Sequence, residues 1–469
     1  MSNLSNIPRI VVAGLRGGSG KTTLSIGLIA ALGDRGLDVV PFKKGPDYID
    51  AGWLAGAAGR SCYNLDPFLI GPDAVLSSFL SHSPAGRKGV SVIEGNRGLY
   101  DGMDVEGTYS TARLARILKA PVLLIVDCTK VTRTAAALVL GAKKFDPRVR
   151  LGGVILNRIA GARHEAIVRQ SIERYTGVPV LGSIPKLAHA EFPERHMGLT
   201  PFQEHPEVQG AIAKTGEIIG RHVDIAAVLR LARSAEQLRL PKEILRDATL
   251  SPAAQVKIGV IRDSAFQFYY PENFEALSGA GAELIEISAL TGETLPKVDA
   301  LYIGGGFPET HAITLAKNTK FKKALYAAVQ GGIPVYAECG GLMYLGETLT
   351  VGGKAHKMAG ILPVSFVLNQ RPEAHGYTIV KVTRANPFYK KGTVLRGHEF
   401  HYSKAVSFGA GGGAFMALGM KRGKGIREGM DGLCYKNVFA TYTHIHALGA
   451  PEWTEGMIRA ALRFKKSRA

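Results

Sequence analysis

Cysteine is scarce in this sequence, and its spacing excludes two common uses of the residue. The 469-residue chain has four cysteines, and no two of them have CxxC spacing. They are Cys62, Cys128, Cys339 and Cys434. Such a wide scatter argues against a disulfide framework and against a structural zinc site. It is typical of a protein that works in a reducing cytoplasm, where we expect this one.

Long apolar runs are missing as well. The amino terminus shows no basic segment followed by an apolar one. No stretch of about 18 uninterrupted apolar residues occurs in the chain. We therefore expect a soluble protein with no membrane partner and no recognisable export signal.

Acidic residues are outnumbered by basic ones. Lys and Arg total 58 against 39 Asp and Glu, which gives a formal net charge of +19. A field of this sign attracts polyanions. The basic residues are nevertheless spread along the chain, and no nucleic-acid motif accompanies them. We therefore expect small-molecule partners, a polyanionic substrate and nucleotide phosphates, and no nucleic acid.

The pattern of apolar runs predicts two α/β domains. The length exceeds what one hydrophobic core usually covers. In the first half, apolar runs alternate with helical patterns, as in a doubly wound parallel sheet. The runs interpreted as buried strands are 9–13, 39–42, 89–94, 122–127 and 152–157. A second series lies at 257–261, 282–287, 300–303 and 334–338.

Domain boundaries follow from the loop signals between the two series. Turn-forming prolines near Leu240 and Leu250 interrupt a charged helical stretch. We predict a P-loop domain at 1–223, a helical linker at 224–255 and a second α/β domain at 256–469.

A glycine-rich loop lies between the first predicted strand and a helical run. Glycines let backbone N–H groups turn toward a phosphate, lysine supplies charge, and a threonine hydroxyl can bind Mg²⁺. In strict GxxxxGK[ST] spacing the first glycine position is Leu15, with Gly14 one place earlier, so the loop is a variant. The predicted ATP-binding residues are Gly17, Gly18, Ser19, Gly20, Lys21, Thr22 and Thr23.

Carboxylates follow the second and third predicted strands. Open parallel sheets bind their ligands beyond the carboxyl ends of the strands. Glu94 closes an apolar run, and Asp47 and Asp50 lie directly after another. Because carboxylates and hydroxyls are suitable Mg²⁺ ligands, we predict Thr22, Asp47 and Glu94 as the metal site. Asp50 would orient substrate or metal.

Cys339 follows the apolar run IPVYAE and precedes the helix-like segment LMYL. A strand, a small-residue turn and a helix build a nucleophile elbow, with the thiol exposed at the helix end, where the dipole favours thiolate. Gly304 to Gly306 would offer N–H donors to an oxyanion. His444 and His446 are candidate bases, and strand alternation puts both on one face, so the pattern does not choose between them.

The segment GHEFHYS at 397–403 has two histidines and a glutamate. With no third metal ligand nearby, a structural or substrate-lining role is favoured over metal binding.

Over nearly its whole length the chain resembles the cobyrinate a,c-diamide synthases, ATP- and glutamine-dependent amidases of tetrapyrrole side chains. The segments that carry the resemblance are GSGKTT (18–23), GPDYID (45–50), GLYDG (98–102), PERHMGL (193–199), RDSAFQFYYPEN (262–273), LYIGGGFPE (301–309), YAECGGLMYL (336–345), GHEFHYS (397–403) and YTHIH (442–446). The resemblance implies a P-loop NTPase-type domain like dethiobiotin synthetase. It implies a flavodoxin-like class I glutamine amidotransferase domain after it.

The resemblance also implies roles for residues. Cys339 would be the nucleophile and His444 the base, in a version that lacks the usual glutamate after the histidine, so no third carboxylate is assigned. The glutamine site would include Gly305 and Gly306. The residues that would face the tetrapyrrole polycarboxylate and metal are Asp47, Tyr48 and Asp50. With Mg²⁺ present, ATP would turn a substrate carboxylate into an acyl phosphate, which ammonia from L-glutamine would convert to an amide.

Asn96 and Arg97 depart from the usual family pattern, because this chain has EGNRGL where cobyrinate enzymes usually have EGVMGL or close to it. The departure resembles relatives that amidate sirohaem or nickel-sirohydrochlorin, so the macrocycle stays open. Cobyric acid synthase shares both domain types, but PERHMGL and FYYPEN favour the a,c-diamide type.

A different class of protein also fits the loop. In a ParA/MinD-like ATPase switch, RGGSGKT would place Arg16 at the signature lysine. That interpretation leaves the carboxyl half without a role. The sequence is also compatible with a homodimer.

Overall fold

The chain is described by a computed structural model at residues 4–84, 86, 88–186, 194–195, 198–199, 207–239, 255–409 and 413–468. It divides into two compact units. The first comprises Met1–Pro67 and Gly71–Ala248, and the second comprises Phe68–Ile70 and Thr249–Ala469. Most of the PERHMGL segment and the linker residues 240–254 lie outside the described residues.

The first unit alternates strands and helices. In chain order its elements are β1 (Leu4–Ser5), β2 (Arg9–Gly14), α1 (Lys21–Gly33), β3 (Asp38–Lys44), α2 (Ile49–Ala58), β4 (Tyr63–Leu65), α3 (Gly71–His82), β5 (Gly89–Gly98), α4 (Thr111–Ile117), β6 (Val122–Asp127), α5 (Thr134–Phe145), β7 (Leu151–Ile159), α6 (Ala162–Thr176), β8 (Val180–Pro185), β9 (Glu194–Arg195), β10 (Gly198–Leu199), α7 (Val208–His222), α8 (Ile225–Arg233) and β11 (Leu238–Arg239).

Seven of these strands form one sheet in the order β4-β3-β5-β2-β6-β7-β8, with every pairing parallel. All six residues of β2 are buried, as expected for a central strand covered on both faces. The chain builds the sheet first on one side of β2 and then on the other. Ligands of open α/β sheets bind at such a reversal, beyond the carboxyl ends of the strands.

Helix α8 lies inside the range predicted as a linker. Its buried residues Ile225, Val228 and Ala232 recur at helical spacing and belong to the hydrophobic core of the first unit. The side chain of Asp224 accepts the N–H of Ala227 at 2.9 Å and caps the helix. This part of the range therefore packs with the first unit.

The second unit has both parallel and antiparallel strands. Its elements are β12 (Val256–Ile261), α9 (Pro271–Gly279), β13 (Ala282–Ile287), β14 (Ala300–Ile303), α10 (Ala312–Lys317), α11 (Thr319–Gln330), β15 (Val335–Glu338), α12 (Gly340–Leu345), β16 (Thr348–Val351), β17 (Lys354–Lys357), β18 (Val364–Leu368), β19 (Ala374–Val382), β20 (Val394–His401), β21 (Ser403–Phe408), β22 (Phe415–Arg422), β23 (Met430–Tyr435), β24 (Val438–Thr441), β25 (His444–Ile445), a 3-10 helix (Ala447–Gly449) and α13 (Pro451–Arg468).

Strands β13-β12-β14-β15-β24 form the parallel part of a ten-stranded sheet, and β23-β22-β19-β20-β25 continue it in antiparallel fashion. The parallel order corresponds to 2-1-3-4-5, the flavodoxin-like arrangement. A smaller sheet has the order β17-β16-β18-β21. The predicted fold class, two α/β domains with these buried strands, is therefore confirmed. Across the described ranges, each helix is too short or too polar to cross a bilayer.

Candidate active sites

The phosphate loop connects the end of β2 to the start of α1. Two of its glycines have backbone conformations that other residues rarely adopt, with φ of 70° at Gly18 and 95° at Gly20. A Cβ atom on Gly20 would also lie 2.4 Å from Nδ2 of Asn157. Lys21 begins α1, and its Nζ donates across the loop to the carbonyl oxygen of Arg16 at 3.1 Å. This is the geometry in which backbone N–H groups and a helix amino terminus bind phosphate.

A cluster of charged side chains lies at the adjacent carboxyl ends of β3 and β5. Oε1 of Glu94 accepts hydrogen bonds from Thr22 Oγ1 at 2.8 Å and from Lys43 Nζ at 2.9 Å. Lys43 also donates to Oδ2 of Asp50 at 2.7 Å and lies 3.7 Å from Oδ2 of Asp47. The three predicted carboxylates of this region, Asp47, Asp50 and Glu94, therefore surround one lysine that the sequence interpretation did not include.

Burial and charge set the protonation of this cluster. Burial raises the pKa of Asp47 to about 7, and the charge of Asp50 adds to the rise. Burial also acts to raise the pKa of Asp50 and Glu94. At Asp50 the charge of Lys43 outweighs the effect of burial, so the pKa of Asp50 lies below its ordinary value. At Glu94 burial outweighs Lys43, so the pKa of Glu94 is raised. Burial alone would lower the pKa of Lys43, yet the three carboxylates hold it well above its ordinary value.

Glu94 retains an acceptor that could bind a metal ion. Its Oε2 is buried and has no hydrogen-bond partner among the described residues. In the same part of the chain, no three His, Cys, Asp or Glu side chains group so as to hold a metal by themselves. Mg²⁺, however, is usually held by one or two carboxylates together with substrate phosphates and waters. The hydroxyl of Thr22 and the carboxylate of Glu94, with Asp47 nearby, fit a site of that kind.

Residues at the ends of β6 and β7 border the loop. Oδ2 of Asp127 accepts hydrogen bonds from both Arg16 and Arg158, each at 2.7 Å. Nδ2 of Asn157 donates to the carbonyl oxygen of Ser19 at 2.8 Å. These side chains hold the loop to the sheet, and the sequence interpretation missed three of them. The arginine at the signature position of a ParA/MinD-like loop is paired within its own chain.

Asn96 and Arg97, which depart from the family pattern, lie near the carboxyl end of β5. The N–H of Asn96 donates to Oγ1 of Thr111 at 3.1 Å, and a Cβ atom on Gly45 would lie 2.8 Å from its Nδ2. Arg97 is exposed and has a φ of 50°. The two residues therefore lie at the same strand ends as the carboxylate cluster.

Cys339 occupies a sharp turn between β15 and α12. All four residues of β15 are buried, and the backbone of Cys339 has φ 45° and ψ −95°. This conformation is rare for a residue other than glycine and is typical of functional strand-to-helix turns. The predicted strand, turn and helix are all present.

The thiol is buried, which corrects the expectation that it is exposed and favoured as thiolate. Cys339 is 4% exposed, and its Sγ lies 3.9 Å from the carbonyl oxygen of Phe400. Burial, followed by the charges of Glu309 and Glu338, raises the pKa of this thiol. A neutral thiol is a weak nucleophile, so the site requires a base that takes its proton.

The glycine turn after β14, Gly304 to Gly306, lies beside His444 and beside Gly340, the residue after Cys339. The N–H of Gly304 donates to Oη of Tyr269 at 2.7 Å, so this donor is already used. A Cβ atom on Gly305 would lie 2.5 Å from Cε1 of His444. A Cβ atom on Gly340, the residue after Cys339, would lie 3.0 Å from the backbone nitrogen of Gly306. Gly305 therefore lies against the imidazole of His444, and Gly306 lies beside the residue that follows Cys339.

The two candidate histidines have different partners. Nδ1 of His444 lies 3.1 Å from Oε2 of Glu338. Nε2 of His446 lies 3.6 Å from Oε1 of Glu272, and its Nδ1 accepts the N–H of Leu448. Of the two, His444 is the one whose ring lies against the glycine turn. Strand alternation does not apply to this pair, because β25 ends at Ile445 and His446 lies beyond the strand.

The polar side chains of the GHEFHYS segment have partners within the second unit. Nδ1 of His401 donates to the carbonyl oxygen of Ser403 at 2.8 Å, and its ring stacks on Tyr442 with centroids 3.5 Å apart. The carboxylate of Glu399 accepts the N–H of Lys424. These contacts fit the predicted structural or substrate-lining role.

These two sites define the class of the protein: a glutamine amidotransferase with a P-loop nucleotide-binding domain. Residues 10–199 match the family model described as the CobQ/CobB/MinD/ParA nucleotide binding domain. Residues 257–452 match the model described as the CobB/CobQ-like glutamine amidotransferase domain. The chloroplast FtsY structure from Physcomitrella patens aligns with a TM-score of 0.30 at 17% identity, covering 48% of this chain and 66% of that one, too weakly to indicate a common fold.

Curated relatives similar over almost the full length share one name. The cobyrinate a,c-diamide synthase of Magnetococcus marinus is 43% identical over 97% of both chains. The enzyme of that name from Archaeoglobus fulgidus is 41% identical over 98% of this chain and 99% of its own. The one from Listeria innocua is 40% identical over 97% of this chain and 100% of its own. The chain belongs to the cobyrinate a,c-diamide synthase family and is an enzyme of the glutamine-hydrolysing ligase type.

Proposed function

We propose that this enzyme amidates the a- and c-side-chain carboxylates of cobyrinate in cobalamin biosynthesis, using ATP and the side-chain nitrogen of glutamine. The observation that carries the proposal is the full-length similarity to relatives named cobyrinate a,c-diamide synthase. It is supported by a glycine turn beside both His444 and the residue after Cys339 in one unit, and by a phosphate loop with carboxylates in the other.

The second unit would release ammonia. The sulfur of Cys339 attacks the side-chain carbonyl carbon of glutamine while His444 takes the thiol proton. Backbone N–H groups at Gly305 and Gly306 stabilise the oxyanion. His444 passes the proton to the departing nitrogen, the C–N bond breaks, and ammonia leaves. Water then hydrolyses the thioester to glutamate and restores the thiol.

The first unit would activate the acid. A carboxylate oxygen of the macrocycle attacks the γ-phosphorus of ATP, and the bond to ADP breaks. The loop and Lys21 hold the phosphates, while Asp47, Tyr48 and Asp50 face the substrate. Thr22 and Glu94, with Asp47, would hold Mg²⁺, which when bound would offset phosphate charge. Ammonia attacks the acyl carbon, and inorganic phosphate leaves with one of the original carboxylate oxygens.

A second candidate substrate class is another tetrapyrrole, sirohaem or nickel-sirohydrochlorin. Asn96 and Arg97 favour it, because they add an amide and an exposed cation at the strand ends where the carboxylate cluster lies. Either macrocycle bears several carboxylates, which the net charge of +19 would attract.

Glutamine hydrolysis by the Cys339→Ala variant tests the amidotransferase function. We expect the variant to lose ammonia release from glutamine while keeping ammonia-dependent amidation. A ParA/MinD-like switch would show ATP hydrolysis without any glutaminase activity in the parent protein. Intact ammonia release in the variant would mean that Cys339 is not the nucleophile.

Product analysis tests substrate and route. The parent enzyme is offered cobyrinate, sirohaem or nickel-sirohydrochlorin with ATP, Mg²⁺ and glutamine labelled with nitrogen-15 in its side chain. We expect mass spectrometry to find two labelled amides on cobyrinate, and labelled amides on another macrocycle instead would select the second candidate. With oxygen-18 in the substrate carboxylates, an acyl phosphate requires label in the released phosphate. Unlabelled phosphate would exclude that intermediate.

A further inference from the structure

Glu338, the residue before the nucleophile, closes β15 with its side chain fully buried. Its Oε2 lies 3.1 Å from Nδ1 of His444, and its Oε1 accepts the backbone N–H of Ile445 at 3.2 Å. The hydroxyl of Tyr302 lies 3.5 Å from Oε2. One carboxylate therefore contacts both the imidazole of His444 and the backbone of the residue after it.

The contact specifies which ring nitrogen carries a proton. A carboxylate only accepts hydrogen bonds, so Nδ1 of His444 must be the donor, and in the neutral ring Nε2 then carries the lone pair. Nε2 is on the side of the ring that faces the glycine turn, since it would lie 3.3 Å from a Cβ atom on Gly305. The ring of His398, in the GHEFHYS segment, stacks on that of His444, with centroids 4.8 Å apart. The imidazole is thereby held in one orientation.

The position that usually supplies a carboxylate does not do so here. His446 stands two residues after His444, where the sequence lacks the glutamate of most class I enzymes. Its imidazole is engaged with Leu448 and lies near Glu272, away from Nδ1 of His444. The residue that contacts Nδ1 comes instead from the strand that carries the nucleophile.

We propose that Glu338 is the positioning carboxylate of the glutaminase site. It holds His444 with the Nδ1 proton toward itself and the Nε2 lone pair toward Cys339, and it stabilises the imidazolium that forms when the thiol is deprotonated. The proposal rests on the proposed roles of Cys339 and His444 in glutamine hydrolysis. It supplies the third member that the motif around His444 lacks.

The test compares Glu338→Gln and Glu338→Asp in the full-length enzyme. In Glu338→Gln the amide can donate as well as accept, so the ring orientation is no longer specified. We expect kcat for glutamine hydrolysis to fall on the order of 10²-fold or more, with KM for glutamine nearly unchanged. Glu338→Asp keeps the charge and should recover part of the lost rate. Amidation with added ammonium chloride should stay at the parent level in both variants and reports that the protein is folded.

Glu272→Gln is the matched control, because it removes another buried carboxylate beside this group of histidines. We expect its glutaminase kcat to stay near the parent value. The proposal is overturned if Glu338→Gln keeps the parent kcat. It is also overturned if both Glu338 variants lose glutamine- and ammonia-dependent activity equally, since that is a structural effect. Full glutaminase activity in Cys339→Ala would instead remove the proposed function itself.

Discussion

Lys43 and Glu94 stand opposite each other on neighbouring parallel strands, and their side chains form a buried ion pair with Nζ 2.9 Å from Oε1. Asp50 shares the same ammonium group at 2.7 Å. A buried pair costs both ions their hydration, so the loss of one partner leaves an uncompensated charge. Lys43 therefore links the stability of the first unit to the geometry of its proposed metal and substrate site.

Replacing Lys43 by methionine is expected to destabilise the first unit by about 3–5 kcal/mol, because three carboxylates lose their common cation. ATP-dependent amidation should be lost, while glutamine hydrolysis at Cys339 in the second unit should remain. Urea denaturation and the two activity assays measure these effects.

Lys320→Met is the matched control for this change. Lys320 pairs with Glu293 at 2.9 Å, but both side chains are largely exposed. We expect a loss below about 1 kcal/mol. Equal effects of the two substitutions would contradict a special role of burial at Lys43.

Asp47 predicts a pH dependence of stability. Burial, followed by the charge of Asp50, raises its pKa from 3.8 to about 7. Between these values the folded state binds more protons than the unfolded state, so stability falls as the pH rises, and the full cost is present above about pH 7. The variant Asp47→Asn cannot titrate here. We expect it to exceed the parent in stability at about pH 8, with a gap that shrinks toward about pH 4 in urea denaturation.

Asp50→Asn should have the opposite effect in the same cluster. Burial acts to raise the pKa of Asp50, but Lys43 lowers it below 3.8. Its contribution to stability is thus present above that pH and is lost as the pH falls further. This variant should be less stable than the parent from about pH 4 to about pH 8. If Asp47→Asn and Asp50→Asn were both more stable than the parent at about pH 8, the opposite pKa shifts assigned to the two carboxylates would be wrong.

The parallel strands were predictable because each is a continuous apolar run bounded by turn residues. β2 and β15 are buried throughout, so their sequences carry the signal directly. The order of the antiparallel strands in the ten-stranded sheet was not predictable. The pairings of β19 with β22 and of β20 with β25 join segments far apart in the chain, and no local pattern specifies the partner.

Lys43 and Glu338 were missed for a different reason. Each closes an apolar run, as Glu94 does, but only Glu94 was interpreted through that position. Lys43 acquires its role from Glu94, its register partner on the neighbouring strand. Glu338 acquires its role from His444, which is 106 residues away along the chain. A polar residue that closes an apolar run is a usable signal of a functional position. The partner of that residue can be identified only once the fold is known.

Thr22 offers a test of the proposed Mg²⁺ site. Its hydroxyl donates to Glu94 at 2.8 Å and would also be a metal ligand. Thr22→Val keeps the shape of the side chain and removes the hydroxyl. We expect the Mg²⁺ concentration for half-maximal amidation to rise by about 10-fold or more, with glutaminase activity unchanged. Thr22→Ser, which keeps the hydroxyl, should remain close to the parent, and an unchanged Mg²⁺ requirement in the valine variant would exclude Thr22 as a ligand.

Gly305 tests whether the glycine turn sets the position of the base. A Cβ atom there would lie 2.5 Å from Cε1 of His444, so alanine must displace the imidazole or the turn. A displacement of about 1 Å costs on the order of 10²-fold in rate, and we expect that loss in glutaminase kcat, with ammonia-dependent amidation retained. Gly279→Ala at the end of α9 is the control, because its Cβ would meet nothing within 4 Å. A Gly305→Ala variant with a kcat within about threefold of the parent would mean that the turn does not position His444.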